Sequence, residues 1–271
     1  LPNFPCGNVL GILGSDRQNF WAILLCINSF TFDWAVRERM AGTHLNLYVI
    51  EELPLVLVSK LEKLSSIRLS LARLCFISSN FALNWLRLRN SVSSDNFYLK
   101  PWKYFWALTF YERLRLRCIL DAVVTELYGL ELEDFAWILR DCDYSTQQVC
   151  DSNFARTLEP KGFWRVDKEK DPELRHTVLS LVAFHELKKI GLEAFLNLNN
   201  GEGWMLPETL RLADYRLGHD DRAMQSQPVA SRLGGRFLPW QLEGTAEESW
   251  EECERHAENL RLLLGEKSLV N

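Results

Sequence analysis

The chain has 271 residues, 47% of them hydrophobic, and a formal net charge of −5, which is enough apolar material for one large core or two modest ones. No run of about 18 uncharged apolar residues is present, so a membrane-spanning helix is not expected, and the opening LPNFPCGN lacks the basic start and apolar centre of a signal peptide. The seven cysteines, Cys6, Cys26, Cys75, Cys118, Cys142, Cys150 and Cys253, are scattered rather than spaced as a disulfide framework, which suits a reducing, cytoplasmic setting. A first residue Leu1 in place of Met leads us to expect a piece of a longer protein.

In chain order, Ser15 or Asp16 is placed to cap a first helix whose apolar positions Phe20, Trp21, Ile23, Leu24 and Ile27 recur at helical spacing. A second helix, about 30–40, stops at the Ala41-Gly42 pair, and THLNLYVI then alternates polar and apolar as a half-buried strand does. Pro54 ends that strand or confines it to a sheet edge. Residues 59–77 and 80–90 read as basic amphipathic helices, SVSSDNFYLKPW as a loop, and 110–127 as a helix closed by Gly129, after which ELEDF opens another. Asp171 and Pro172 begin a helix to about Ile190, closed by Gly191, with Leu174, Val178, Leu181, Val182 and Phe184 as its apolar stripe. From 199 to 244 glycines and prolines interrupt every periodic segment, giving an irregular, loop-rich surface. A last helix, about 245–264, carries six glutamates between Glu247 and Glu258 and leaves Trp250, Ala257 and the leucines from Leu260 onward to make contacts. The expected fold is α+β and predominantly α-helical: a small strand-containing segment over 1–58, a basic and helical region over 59–198, and a loop-rich segment with an acidic helix over 199–271.

The modest net charge hides a division. Residues 59–118 hold eleven lysines and arginines against three acids, a net +8, whereas 119–155 hold eight acids against Arg140 alone, a net −7. The basic stretch, interleaved with aromatics such as Trp85, Tyr98, Trp102 and Tyr111, suits DNA phosphates, because neutralising backbone charge releases counterions. The competing reading puts the aromatics in the core and pairs the arginines with the acidic block.

Two blocks carry a family resemblance. In NSFTFDWAVRERMAGTHLNLYVIEELPL, residues 28–55, Asn28, Ser29, Phe32 and Asp33 lead through Arg37 and Arg39 to Gly42, Thr43, His44, Leu45 and Asn46 and then to Leu53-Pro54. In ERLRLRCILDAVVTELYGLELEDFAWIL, residues 112–139, Leu120-Asp121-Ala122 precedes Leu127-Tyr128-Gly129-Leu130. This order and spacing resembles the end of the target-recognition region, and the helical segment after it, in the large N6-adenine DNA methyltransferases of type II restriction-modification and phage-defence systems. The resemblance covers about half of the chain, and neither block is a catalytic motif. It implies double-stranded DNA as partner, with other defence-system subunits alongside. It also implies S-adenosylmethionine as cofactor of the parent enzyme, none being expected in this portion.

Such an enzyme holds its flipped adenine with an Asn/Asp-Pro-Pro-aromatic tetrapeptide. None of the nine prolines here adjoins another, so the tetrapeptide is absent from the chain. The glycine cluster GNVLGILGSD, residues 7–16, lacks both the GxGxxG spacing and a Gly-Lys-Ser/Thr ending, and reads as a turn between elements. Asp171, Glu186 and Lys188 have the residue types of a metal-dependent nuclease, but helical periodicity aims Glu186 and Lys188 about 200° apart. Cys253 and His256 lack a second pair to complete four metal ligands. His176 and His185 lie nine residues apart, out of ligand register, and His219 reads as a turn residue.

The candidate DNA contacts are therefore Arg37 and Arg39 for phosphate or guanine, Asn46 for adenine, Thr43 and His44 for phosphate or a base edge, and Arg113, Arg115 and Arg117 for phosphate, with no catalytic or metal residue expected. A contrasting reading makes the chain a non-catalytic helical interaction module that uses 199–244 and the acidic helix; a nuclease is the weakest of the three.

Overall fold

The computed structural model describes residues 17–40, 48, 49, 52–56, 65–91 and 99–264. Among these the chain is mainly helical, and it divides into two compact units, one formed by Leu1–Leu64 with Arg117–Leu233 and the other by Ser65–Leu116 with Gly234–Asn271. The three consecutive stretches expected from sequence thus give way to units that interleave along the chain. Their boundary at Leu116 falls inside one continuous helix, Phe110–Leu127.

In the first unit, helices Arg17–Cys26 and Phe30–Arg39 are separated by a turn in which Ser29 Oγ accepts from Phe32 N at 3.3 Å, an N-cap that satisfies one of the second helix's unpaired amides. The part of Phe110–Leu127 belonging to this unit ends as expected at Gly129, φ 74°, where Gly129 N donates to Glu126 O and Leu130 N to Thr125 O. Glu131 N then donates to Asp134 Oδ2 at 2.9 Å to open Leu132–Ile138. Along His176–Ile190, which Gly191 closes at φ 85°, Val178, Leu179, Ala183 and Phe184 are fully buried, and Phe184 meets Phe135 edge to face with ring centroids 5.4 Å apart.

Three expectations are corrected. The helix expected from Asp171 begins only at His176: Pro172–Leu174 forms a 3-10 turn, Arg175 is extended, and the true first amide, His176 N, is taken by Asp167 Oδ2 at 3.0 Å. Tyr48 and Val49, expected in a strand, are helical, while the rest of that segment's reading falls largely outside the described residues. The sheet among the described residues lies instead in the loop-rich segment, where Thr209–Leu210 and Gln227–Pro228 pair antiparallel with Thr209 opposite Pro228. Alternation over a few residues marks a half-buried segment without fixing its hydrogen bonds, which is why Tyr48 and Val49 can depart from the strand expected there.

The second unit contains Ser65–Cys75, Ala82–Ser91, the first part of Phe110–Leu127 and Ala246–Leu264. Its core is built from tryptophans. Trp85 and Trp102 are fully buried, Trp85 Nε1 donates to Phe76 O at 2.8 Å, and Trp250 Nε1 donates to Lys100 O at 3.0 Å. Glu112, 0% exposed, receives Arg73 at 2.6 Å, Arg115 at 2.7 Å and Arg236 at 2.8 Å. Arg89 and Lys103 pair with Glu254 and Glu252 of the last helix. These arginines and Lys103 therefore find their acids within their own unit, at Glu112 and on the C-terminal helix, rather than in the 119–155 block.

Burial alone would raise the Glu112 pKa, but Arg73 foremost, with Arg115 and Arg236, outweighs it and holds the carboxyl down from 4.5 to about 2. A depressed carboxylate contributes stability that is complete above about pH 4.5 and is lost as pH falls toward 2. Glu112→Gln, which leaves three cations around an uncharged group, is expected to destabilise the second unit by about 3–5 kcal/mol at neutral pH. Chemical denaturation followed at the tryptophans checks this, and the variant should also lose part of the wild-type decline in stability between those two pH values.

Candidate nucleic-acid interface

The expected base contacts Thr43, His44 and Asn46 follow helix Phe30–Arg39 in the chain, and Arg37 and Arg39 lie on it. Its start is held from the Phe110–Leu127 helix: Phe30 N donates to Asp121 Oδ1 at 2.9 Å, and Thr31 and Thr125 hydroxyls lie 3.1 Å apart. Asp121 is 1% exposed and also accepts from Ser180 Oγ at 3.1 Å. Tyr128 OH donates to Pro54 O at 2.6 Å. Residues from the two sequence blocks, distant along the chain, therefore meet in one unit.

The end of the helix is clamped reciprocally. Arg37 is bidentate to Asp33 at 2.9 and 2.7 Å, donates through Nη1 to Lys161 O at 2.7 Å and Gly162 O at 3.3 Å, and lies 4.2 Å over the Phe163 ring. Lys161 Nζ in turn donates to Arg37 O at 2.8 Å and Met40 O at 3.1 Å, placing a cation on the carbonyls that a helix C-terminus leaves unpaired. Arg37 thus orients the helix end, while Arg39 is exposed and reaches only Ala35 O of its own helix. Thr43, His44 and Asn46 lie outside the described residues.

The three arginines of the 112–118 run have three different environments. Arg113 is half-buried and donates to Leu74 O and Ala107 O. Arg115 is 0% exposed and bidentate to Glu112, so it has no surface to offer a phosphate. Arg117 is exposed, with Nη2 3.1 Å from His176 Nδ1. An arginine cannot accept, so this contact makes Nδ1 the acceptor and leaves the imidazole proton on Nε2. Nε2 lies 2.7 Å from Asp121 Oδ2, close but not aimed along a good hydrogen bond. Sequence reading weighed His176 only as a metal ligand and missed this role, which a lone histidine in an apolar run does not announce.

Ser180, Asp121 and His176 have the residue types of a hydrolytic triad without its arrangement. Ser180 donates to the aspartate rather than to the imidazole, and all three are buried away from any substrate. The nuclease set is likewise dispersed: Asp171 pairs with Arg232 at 2.7 Å, whereas Lys188 pairs with Glu126 at 3.2 Å and Glu131 at 3.0 Å. Cys253 is buried and faces Ala82 O, and among the described residues no group of three or more His, Cys, Asp or Glu is arranged to hold a metal. No helix among them is long and apolar enough to cross a membrane. No family model, curated protein or solved structure matches the chain.

Burial, and then the Arg117 cation beside it, lower the His176 pKa below its ordinary 6.5. The unfolded chain takes up a proton below about pH 6.5 that the native imidazole refuses, so this histidine removes stability as pH falls through that value until the native group also titrates. Replacing it, His176→Asn, is expected to flatten the stability profile between about pH 6.5 and the lower native pKa. Asp121→Ala, which strips acceptors from Phe30 N and Ser180, should cost about 2–5 kcal/mol in the first unit. Urea melts across a pH series measure both.

Proposed function

We propose that this chain is the C-terminal recognition and accessory portion of a site-specific adenine-N6 DNA methyltransferase from a restriction-modification or phage-defence system. The catalytic tetrapeptide, and with it S-adenosylmethionine chemistry, belong elsewhere in the parent enzyme. The observation that carries the reading is the junction at Asp121, Thr125 and Tyr128: the blocks 28–55 and 112–139, which bear the resemblance, are held together by side chains of the second block. A recognition loop needs a rigid mount, because losing one bidentate base contact costs about 1–3 kcal/mol of discrimination, and a mobile mount spreads that contact over many geometries. The Asp121 cap at one end of helix Phe30–Arg39 and the Lys161 clamp at the other provide one. Arg39 and Asn46 are the base-reading candidates in this proposal, with Arg117 near the phosphates.

A second reading, the protein-interaction module, draws support from Leu238, Trp240 and Leu242, which are 37%, 42% and 54% exposed along one turn held by buried Gln241. A salt series of duplex binding separates the two. Methyltransferase recognition calls for duplex binding that weakens steeply as salt rises, and an interaction module calls for none. In this series Arg115→Gln should lower stability and leave the salt slope unchanged.

The chain incubated with S-adenosylmethionine and DNA is expected to transfer no methyl groups, and methylation above background would refute the assignment of catalysis to another part of the parent. In the parent enzyme, Asn46→Ala or Arg39→Ala should change which site is methylated, read by sequencing of modified bases. Uniformly reduced methylation at an unchanged site would make Arg39 and Asn46 scaffold rather than readers.

A further inference from the structure

We propose that the turn over residues 159–165 is a DNA-backbone contact, with Lys161 and Arg165 as its phosphate ligands, set at the C-terminal end of helix Phe30–Arg39. This rests on the methyltransferase reading and adds a binding element that sequence motifs did not reveal.

The turn is built against the end of helix Phe30–Arg39 by the reciprocal clamp of Arg37 and Lys161. The clamp brings two cations close together. Asp33 neutralises Arg37 through two hydrogen bonds, whereas Lys161 spends two N–H donors on carbonyl oxygens, keeps its full charge and remains exposed. Its third N–H is a donor already fixed in space, so a phosphate oxygen gains a charge-assisted hydrogen bond with little further loss of side-chain freedom. Arg165 is exposed and held with its guanidinium 5.0 Å over the Trp164 ring, itself fixed by Nε1 donating to Glu159 O at 2.9 Å. Helix capping explains Lys161 alone and gives Arg165 nothing to do.

Over residues 30–39 and 156–165 the cations Arg37, Arg39, Arg156, Lys161 and Arg165 outnumber the acids Asp33, Glu38 and Glu159, although helix Leu132–Ile138, which carries Glu133 and Asp134, packs against the first of these segments. Of these acids Asp33 is taken by Arg37, and Glu159 Oε1 accepts from Lys161 N at 3.2 Å. The occupant is the sugar-phosphate backbone rather than the base edges, because an ammonium and a stacked guanidinium offer charge without the paired donor and acceptor pattern that reads a base.

The test is duplex binding by the whole chain over a salt series, followed by fluorescence anisotropy, with unfolding midpoints recorded for every variant. Lys161→Gln and Arg165→Gln are each expected to flatten the plot of log affinity against log salt by about 0.9, and Lys161→Arg to restore the slope. Arg211→Gln, on an exposed arginine paired with Asp214 elsewhere in the same unit, should leave it unchanged. Should Lys161→Gln fail to fold, Arg165→Gln decides alone, since its side chain is exposed. If the wild type binds with a steep slope that Arg165→Gln and Lys161→Gln leave intact while Arg87→Gln or Lys100→Gln reduce it, the backbone lies on the second unit. The present proposal then falls while the methyltransferase reading stands. A wild-type chain that binds no duplex overturns both.

Discussion

Asp121 is a buried carboxylate in the middle of a helix, a position where an unpaired charge would cost several kcal/mol. It is tolerated because it accepts from the first amide of helix Phe30–Arg39 and from the Ser180 hydroxyl, with the His176 ring close beside it. The Phe30 amide and the Ser180 hydroxyl would themselves lose this acceptor without it. The requirement runs both ways, so three helices of the first unit are fixed in relative register by hydrogen-bond satisfaction as well as by apolar burial. The start of helix Phe30–Arg39 and the Ser180 hydroxyl are both fixed by that one carboxylate, while the lowered His176 pKa comes from burial and Arg117 against it.

The second unit also buries a carboxylate, but surrounds it with cations in place of neutral donors. Glu112 sits on the same helix as Asp121 and gathers three arginines, two of them almost entirely buried. The cost of removing the Arg115 guanidinium from water is offset by its bidentate pairing with Glu112, which receives Arg236 in the same way. A stretch whose net charge of +8 suggested a phosphate-binding face therefore uses several of its cations internally. Charge counted along a chain measures what is available to a polyanion only after the internal pairs are removed.

For the proposed interface, this shifts attention from the arginines that are most conspicuous in sequence to those the fold leaves exposed. Arg115 is unreachable and Arg37 is committed to Asp33 and two carbonyls, whereas Arg39, Lys161 and Arg165 face solvent around the helix end. Lys161 was invisible to motif reading because its role depends on a contact with Arg37 and Met40, more than a hundred residues earlier. The residue types of a triad and of a nuclease were present too, and only distance and burial show that neither assembles.

Local physics, all of it present in the sequence, determined the predominantly helical class, the helix over Phe110–Leu127 with its stop at Gly129, the Gly191 closure, the acidic last helix and the absence of a Pro-Pro catalytic motif. Helical periodicity and positive-φ glycines depend on neighbours within a few residues, so they can be read from the chain itself. Only the tertiary structure decided that Asp121 joins the local cap Ser29 at the start of Phe30–Arg39, that Asp167 sets the start of His176–Ile190, and that Arg73 and Arg236 join Arg115 on Glu112. It also placed the short sheet at Thr209–Leu210 and Gln227–Pro228. Each of those brings together residues at least nine positions apart in sequence, beyond the reach of one helical turn, and no local pattern encodes that choice.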